Sequence, residues 1–147
     1  GGGGADTMTG GTGNDVFIIG NSDGGNLITT ADKITEFNTA GADQLKLGVA
    51  ATALNYVEAA SAHDDNAAGA ANASTVAENS AQANTALNGT VKYAVIDDGA
   101  LNSGNGAAHT ATGSYLFVDT DLDGSFNYVV HLTDGVLGDI ALADIIA

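Results

Sequence analysis

Residues 1–9 read Gly-Gly-Gly-Gly-Ala-Asp-Thr-Met-Thr, and residues 10–18 read Gly-Gly-Thr-Gly-Asn-Asp-Val-Phe-Ile. Both satisfy G-G-x-G-x-D-x-U-x, with U a large apolar residue, and they follow one another without a gap. No other feature of the chain limits its backbone so tightly. The glycines open turn conformations closed to other residues. The aspartate then closes each turn with a carboxylate. The x-U-x triplet is a strand so short that one side chain, Met8 or Phe17, points inward. Two such units make one coil of a parallel β-roll, with turns stacked on turns and strands on strands.

Stacked acidic turns repel one another, and the rest of the chain adds to the problem. Eighteen Asp and Glu face three Lys and no Arg, for a net charge of −15. A divalent cation removes that repulsion, and flexible all-oxygen loops suit calcium better than magnesium. Calcium is therefore the expected cofactor, with Asp6 and Asp15 as ligands. The same balance argues against nucleic acid and anionic membranes, since three Lys cannot make a basic face. No apolar run approaches the roughly 18 residues of a spanning helix. With no Cys, disulfides, thiolate catalysis and zinc–thiolate or iron–sulfur sites are excluded. The chain opens at Gly1 rather than Met, which reads as a trimmed start or the end of something longer.

Beyond the repeats, residues 20–30 read as a degraded third unit, with turn residues at Asn21, Asp23, Gly24, Gly25 and Asn26 and a short strand at Leu27 and Ile28. Asp32 and Asp43 each precede near-alternating apolar residues (Ile34 and Phe37, Leu45 and Leu47). Residues 49–88 are rich in Ala, Asn, Ser and Thr. Within them, 76–87 favours a helix with Thr75 as N-cap and Glu78 in the capping-box place. Leu54, Val57, Val76, Ala83 and Leu87 are expected to face a sheet, and 61–72 to form a loop or lid. Strands are expected around Val91–Val95, at 115–118 and at 126–132.

The last two strands flank Asp119-Thr120-Asp121-Leu122-Asp123-Gly124. The D-x-D-x-D-G spacing copies the start of a calcium loop, but an EF-hand needs Glu at the twelfth position, and Val130 stands there. The alternatives are a calcium loop on Asp119, Asp121 and Asp123 or a long hairpin turn with solvated carboxylates. The ion is favoured because three neighbouring carboxylates repel without it. Asp32 and Asp43 suit either a ligand or a turn former, and Asp32 is taken as a ligand. Asp64, Asp65, Asp97 and Asp98 read as solvated loop charges. His63, His109 and His131 read as surface or edge-strand residues. Neither H-E-x-x-H nor G-x-S-x-G occurs, so no catalytic group is expected and the chain reads as non-enzymatic.

These residues resemble the RTX family of proteins exported by bacterial type I secretion, most closely the C-terminal regions of serralysin-like metalloproteases, surface-layer proteins and large adhesins. The nonapeptides carry the resemblance over 1–18. Asp32 to Leu47 looks like the segment that follows the last repeats, 115–132 like the family's D-x-D-x-D-G hairpin, and 144–147 like its acidic-plus-apolar exporter-recognised tail. The resemblance implies that Gly2, Gly4, Gly11 and Gly13 contribute carbonyl oxygens beside Asp6 and Asp15. Gly24 stands where the next Asp is due, with Asp23 adjacent as a substitute ligand. The fold expected is mainly β: a short parallel β-roll continuing into an antiparallel sheet or sandwich with one packed α-helix. Its parts are 1–48 (roll and capping segment), 49–90 (Ala-rich helix and loop) and 91–147 (antiparallel region, calcium loop and secretion tail). The function implied is a secreted calcium-binding C-terminal domain that folds on calcium outside the cell. Its transient partner is then a type I exporter. The alternatives are a self-assembling subunit of a surface layer, filament or adhesin, or the non-catalytic tail of a protease or lipase.

Overall fold

Each nonapeptide ends in a three-residue strand, β1 (Thr7–Thr9) and β2 (Val16–Ile18). In both, the middle residue turns inward: Met8 is partly buried and Phe17 is buried, while their neighbours are exposed. The computed structural model describes residues 1–20, 25–59, 83–97, 113–133 and 140–147. It is mainly strands: β3 (Asp32–Thr35), β4 (Gln44–Lys46), β5 (Tyr56–Ala59), β6 (Tyr93–Asp97), β7 (Ser114–Val118), β8 (Tyr128–Leu132) and β9 (Ile145–Ile146) follow. Among the described residues the only α-helical stretch is one turn at 83–86.

The strands form a six-stranded sheet, β1-β3-β8-β7-β6-β5, and a three-stranded sheet, β2-β4-β9. The chain alternates between them. A first pass places β1 in the large sheet and β2 in the small one. A second pass lays β3 parallel to β1 and β4 parallel to β2. The chain then builds β5, β6 and β7 before a third pass sets β8 parallel to β3 and β9 parallel to β4. The registers stack like on like: Met8, Ile34 and Leu132 in the large sheet, and Phe17, Leu45 and Ile145 in the small one. These two ladders face each other in one core, where Phe17 also meets Phe37 with ring centroids 6.1 Å apart.

β6, β7 and β8 form an antiparallel meander, and the large sheet is covered on both faces there. Leu116, Val118, Val130 and Tyr128 point to the main core, while Ile96, Phe117 and Val129 pack with Ala83 and Leu87 on the other side. This is why β6 to β8 read as nearly continuous apolar runs rather than clean alternation. Ala83 and Leu87 thus face the sheet as expected, Val57 packs at the margin, and the remainder of the expected helix lies outside the described residues.

Two local expectations fail. Leu27 and Ile28 do not make a strand: Ile28–Thr30 is a 3-10 turn closed by the Thr30 N–H donating to the Leu27 carbonyl at 2.9 Å, and Leu27 is exposed. Leu54 does not face a sheet but stands in the turn before β5, 81% exposed. In both places a local turn overrides the apolar residue's preference for burial.

The Phe17–Leu45–Ile145 ladder ties all three passes together, so Leu45→Ala should be costly. We expect a loss of about 2–5 kcal/mol, read as a lower urea midpoint with calcium held constant.

Candidate metal centre

Gly2 and Gly4 have φ of 126° and 117°, and their counterparts Gly11 and Gly13 have φ of 82° and 121°. L-residues avoid this region, so the G-G-x-G spacing is a backbone requirement met twice. The turns carry Asp6 and Asp15 to the start of their strands, beside the start of the next pass. There the Asp6 N–H donates to Asp32 Oδ1 at 2.9 Å, and the Lys33 N–H returns to the Asp6 carbonyl at 2.8 Å. The second repeat copies the arrangement: the Asp15 N–H donates to Asp43 Oδ1 at 2.9 Å, and the Gln44 N–H to the Asp15 carbonyl at 2.8 Å.

The remaining oxygens converge. A Cβ placed on Gly1 would stand 2.8 Å from Asp6 Oδ2 and 3.0 Å from Asp32 Oδ2. One placed on Gly10 would stand 3.2 Å from Phe17 Cζ, 3.3 Å from Asp15 Oδ2 and 3.4 Å from Asp43 Oδ2. Each repeat therefore begins with a glycine at the spot where two carboxylates from successive passes meet. Asp32 and Asp43 are buried, at 0% and 2% exposure. Asp32 Oδ2 and Asp15 Oδ2 are buried and make no hydrogen bond. A buried carboxylate oxygen without a partner is expensive, and a second carboxylate beside it adds repulsion. A hard cation bound through oxygen answers both, so the residues fit such an ion.

Asp119, Asp121 and Asp123 offer carboxylate oxygens within 4.8 Å of one another, a group able to hold a metal ion. Their local bonding is different. Asp119 is fully buried, but its Oδ1 accepts the Leu122 N–H at 2.6 Å and its Oδ2 the Gly124 N–H at 2.9 Å. Asp123 Oδ1 accepts the Ser125 N–H at 2.8 Å, and Asp121 and Asp123 are exposed. The buried Lys92 ammonium donates to the carbonyls of Asp119 (3.2 Å) and Thr120 (3.1 Å). Asn127 Oδ1 takes the Thr120 N–H and hydroxyl. The loop is thus shaped by its own hydrogen bonds, and a lysine already occupies two of its carbonyls.

Asp6 therefore meets Asp32, and Asp15 meets Asp43, which the sequence left open as turn former or ligand. Asp119, Asp121 and Asp123 form a separate group. Asp23, His63, Asp64, Asp65, Asp98 and His109 lie outside the described residues. His131 is not on an edge: it sits half-buried on the interior strand β8, stacked on Tyr115 with centroids 4.3 Å apart. Lys92 and Asn127 were not singled out from sequence. The available signal for Lys92 was its rarity, one of three cations in an acidic chain. No protein-family model matches the chain, and no curated protein matches it.

Since Asp119 serves backbone N–H groups, Asp119→Ala should cost about 1–3 kcal/mol at saturating calcium. Asp121→Asn combined with Asp123→Asn should change stability much less. Urea unfolding of the variants in excess calcium checks this.

Proposed function

We propose that the chain is a calcium-binding, non-catalytic module of an extracellular protein, and that calcium drives its folding. The observation that carries the reading is the pair of convergences, Asp6 with Asp32 and Asp15 with Asp43, each with a buried carboxylate oxygen lacking a partner. The strand alternation supports reading the three passes as coils of a short parallel β-roll, with β5 to β7 inserted before the last coil. Repeat geometry and charge support the RTX resemblance.

The paired carboxylates are 26 and 28 residues apart along the chain. Neither pair exists until the second coil has docked on the first. Calcium then binds the folded form and not the unfolded one, and its binding free energy becomes folding free energy. Calcium at ten times its dissociation constant stabilises by about 1.4 kcal/mol per site. Where calcium is scarce, a chain of net charge −15 stays extended and fit for export. Residues 144–147 are the segment proposed to engage a type I exporter. Affinity on the order of 0.1–1 mM suits an extracellular module.

Circular dichroism of the chain in chelator, then through a calcium titration, tests the reading. β signal should appear only with calcium, and magnesium should replace it poorly because it holds its waters and demands octahedral geometry. Full β signal in chelator overturns the proposal. By calorimetry, Asp32→Asn and Asp43→Asn should each remove one bound ion.

A second reading, calcium-dependent pairing between copies, is favoured by one observation. β1 and β2 are outer strands of their sheets, and β2 exposes Val16 at 51% and Ile18 at 64%. Sedimentation with and without calcium separates the two: a mass that stays monomeric excludes pairing.

A further inference from the structure

The two carboxylate pairs are alike at their cores and different in their surroundings. Asp32 meets the third pass at Val130, which has no polar side chain to offer. Asp43 is held by Asn38. The Asn38 N–H donates to Asp43 Oδ2 at 2.9 Å, and the Asp43 N–H donates to Asn38 Oδ1 at 2.6 Å. That second bond fixes the amide, since its oxygen must face Asp43. The Asn38 Nδ2 is thereby turned toward Asp144, donating to its Oδ2 at 3.3 Å. The same Asp144 oxygen accepts the Ala141 N–H at 2.8 Å, shaping the turn that leads into β9. A continuous chain of hydrogen bonds therefore runs from the Asp15–Asp43 pair to the strand that completes the small sheet.

Docking of that strand is otherwise thin. β9 has two residues, paired with Leu45 and Lys46, and its carbonyls accept the N–H groups of Ala51 and Leu47 at 3.1 Å each. The turn also holds Glu36 at φ 62°, a left-handed conformation that residues other than Gly, Asn and Asp rarely adopt, along with Asn38 at φ 54°, which Asn tolerates. When the chain is folded but this one site is empty, Asp43 Oδ2 faces Asp15 Oδ2 and is pushed off its place. The Asn38 N–H then loses its acceptor, the turn relaxes, and Nδ2 withdraws from Asp144. With a cation, Asp43 is pinned and so is Asn38.

We propose that Asn38 is a positioning residue that couples an ion held between Asp15 and Asp43 to the docking of residues 140–147. This rests on the calcium reading above and goes beyond it: of the two sites, only the one beneath Gly10 clamps the third pass. The coupling is reciprocal, so loosening β9 should weaken calcium at that site.

Amide hydrogen exchange at Leu47 and Ala51, whose N–H groups bond β9, reads the docking, and calorimetry with calcium chloride reads the ions. In the full parent chain, raising calcium from the level that just folds it to saturation should slow exchange at both amides by about tenfold beyond the effect on the Met8–Ile34 ladder, within the usual range of coupling. Asp32→Asn should keep this local response. Asn38→Gly, which preserves the positive φ and removes the amide, should lose most of it while still binding both ions, one of them about fivefold more weakly. If Asn38→Gly does not fold, Asp144→Ala cuts the other end of the same bond and should show the same loss. A parental response at Leu47 and Ala51 in whichever variant folds overturns the coupling but leaves the calcium reading standing. Absence of calcium binding by the parent overturns both.

Discussion

The structure depends on bringing like charges together. Asp32 and Asp43 are nearly or fully buried, each within reach of a second carboxylate, and each is fastened to the previous pass by accepting a backbone N–H. A bond that ties successive passes together is thus made by the group that generates the repulsion. Burying a carboxylate costs several kcal/mol unless its oxygens are satisfied, and each pair leaves one oxygen without a partner. Parallel stacking of three-residue strands supplies little to offset that. Only a few inward side chains are available per pass, and Met8 is not even fully buried. Closing the passes therefore buries carboxylate charge together with apolar area.

Much of this was legible from the repeats. The nine-residue unit correctly marked the inward residues Met8 and Phe17 and the positive-φ glycines, because both follow from turn geometry inside one unit. What failed was the extrapolation to the next pass. A strict nonapeptide ladder puts the partner of Asp6 eighteen residues on, at Gly24; the structure puts it at Asp32, 26 residues on, and the partner of Asp15 28 residues on. The extra length lies in the connection from β2 to β3, which includes the 3-10 turn at Ile28–Thr30, and in the wide turn at 36–42. Local chemistry fixes the repeat, but register between passes is chosen by which apolar residues stack, and Ile34 on Met8 and Leu45 on Phe17 win over uniform spacing.

The third pass was less legible still. The end of the chain read as an acidic-plus-apolar tail; Ile145 is buried, and nothing local says that a two-residue strand lies parallel to β4, some hundred residues earlier. Lys92 was missed for a related reason. Next to Val91 and Tyr93 it reads as an outward residue of an alternating strand. Its ammonium instead caps the carbonyls of a loop 27 and 28 residues away.

The two kinds of acidic cluster show why composition and spacing alone do not separate ligand from turn former. By spacing, Asp119-x-Asp121-x-Asp123-Gly124 is the more obvious calcium loop, and Asp32 and Asp43 are isolated aspartates ahead of strands. By bonding the order reverses. Both oxygens of Asp119 already accept backbone N–H groups, and a lysine sits on the carbonyls beside it, so hydrogen bonds within the loop contribute to its shape. Asp121 and Asp123 remain in water, where their repulsion is screened and costs little. At the nonapeptide pairs the repulsion is shielded from water, unanswered by any lysine among the described hydrogen bonds, and focused on a spot kept clear by a glycine. Buried carboxylate oxygens without a partner thus lie beneath Gly1 and Gly10, whereas the hairpin gathers its three carboxylates around an oxygen pair already bonded to backbone N–H groups.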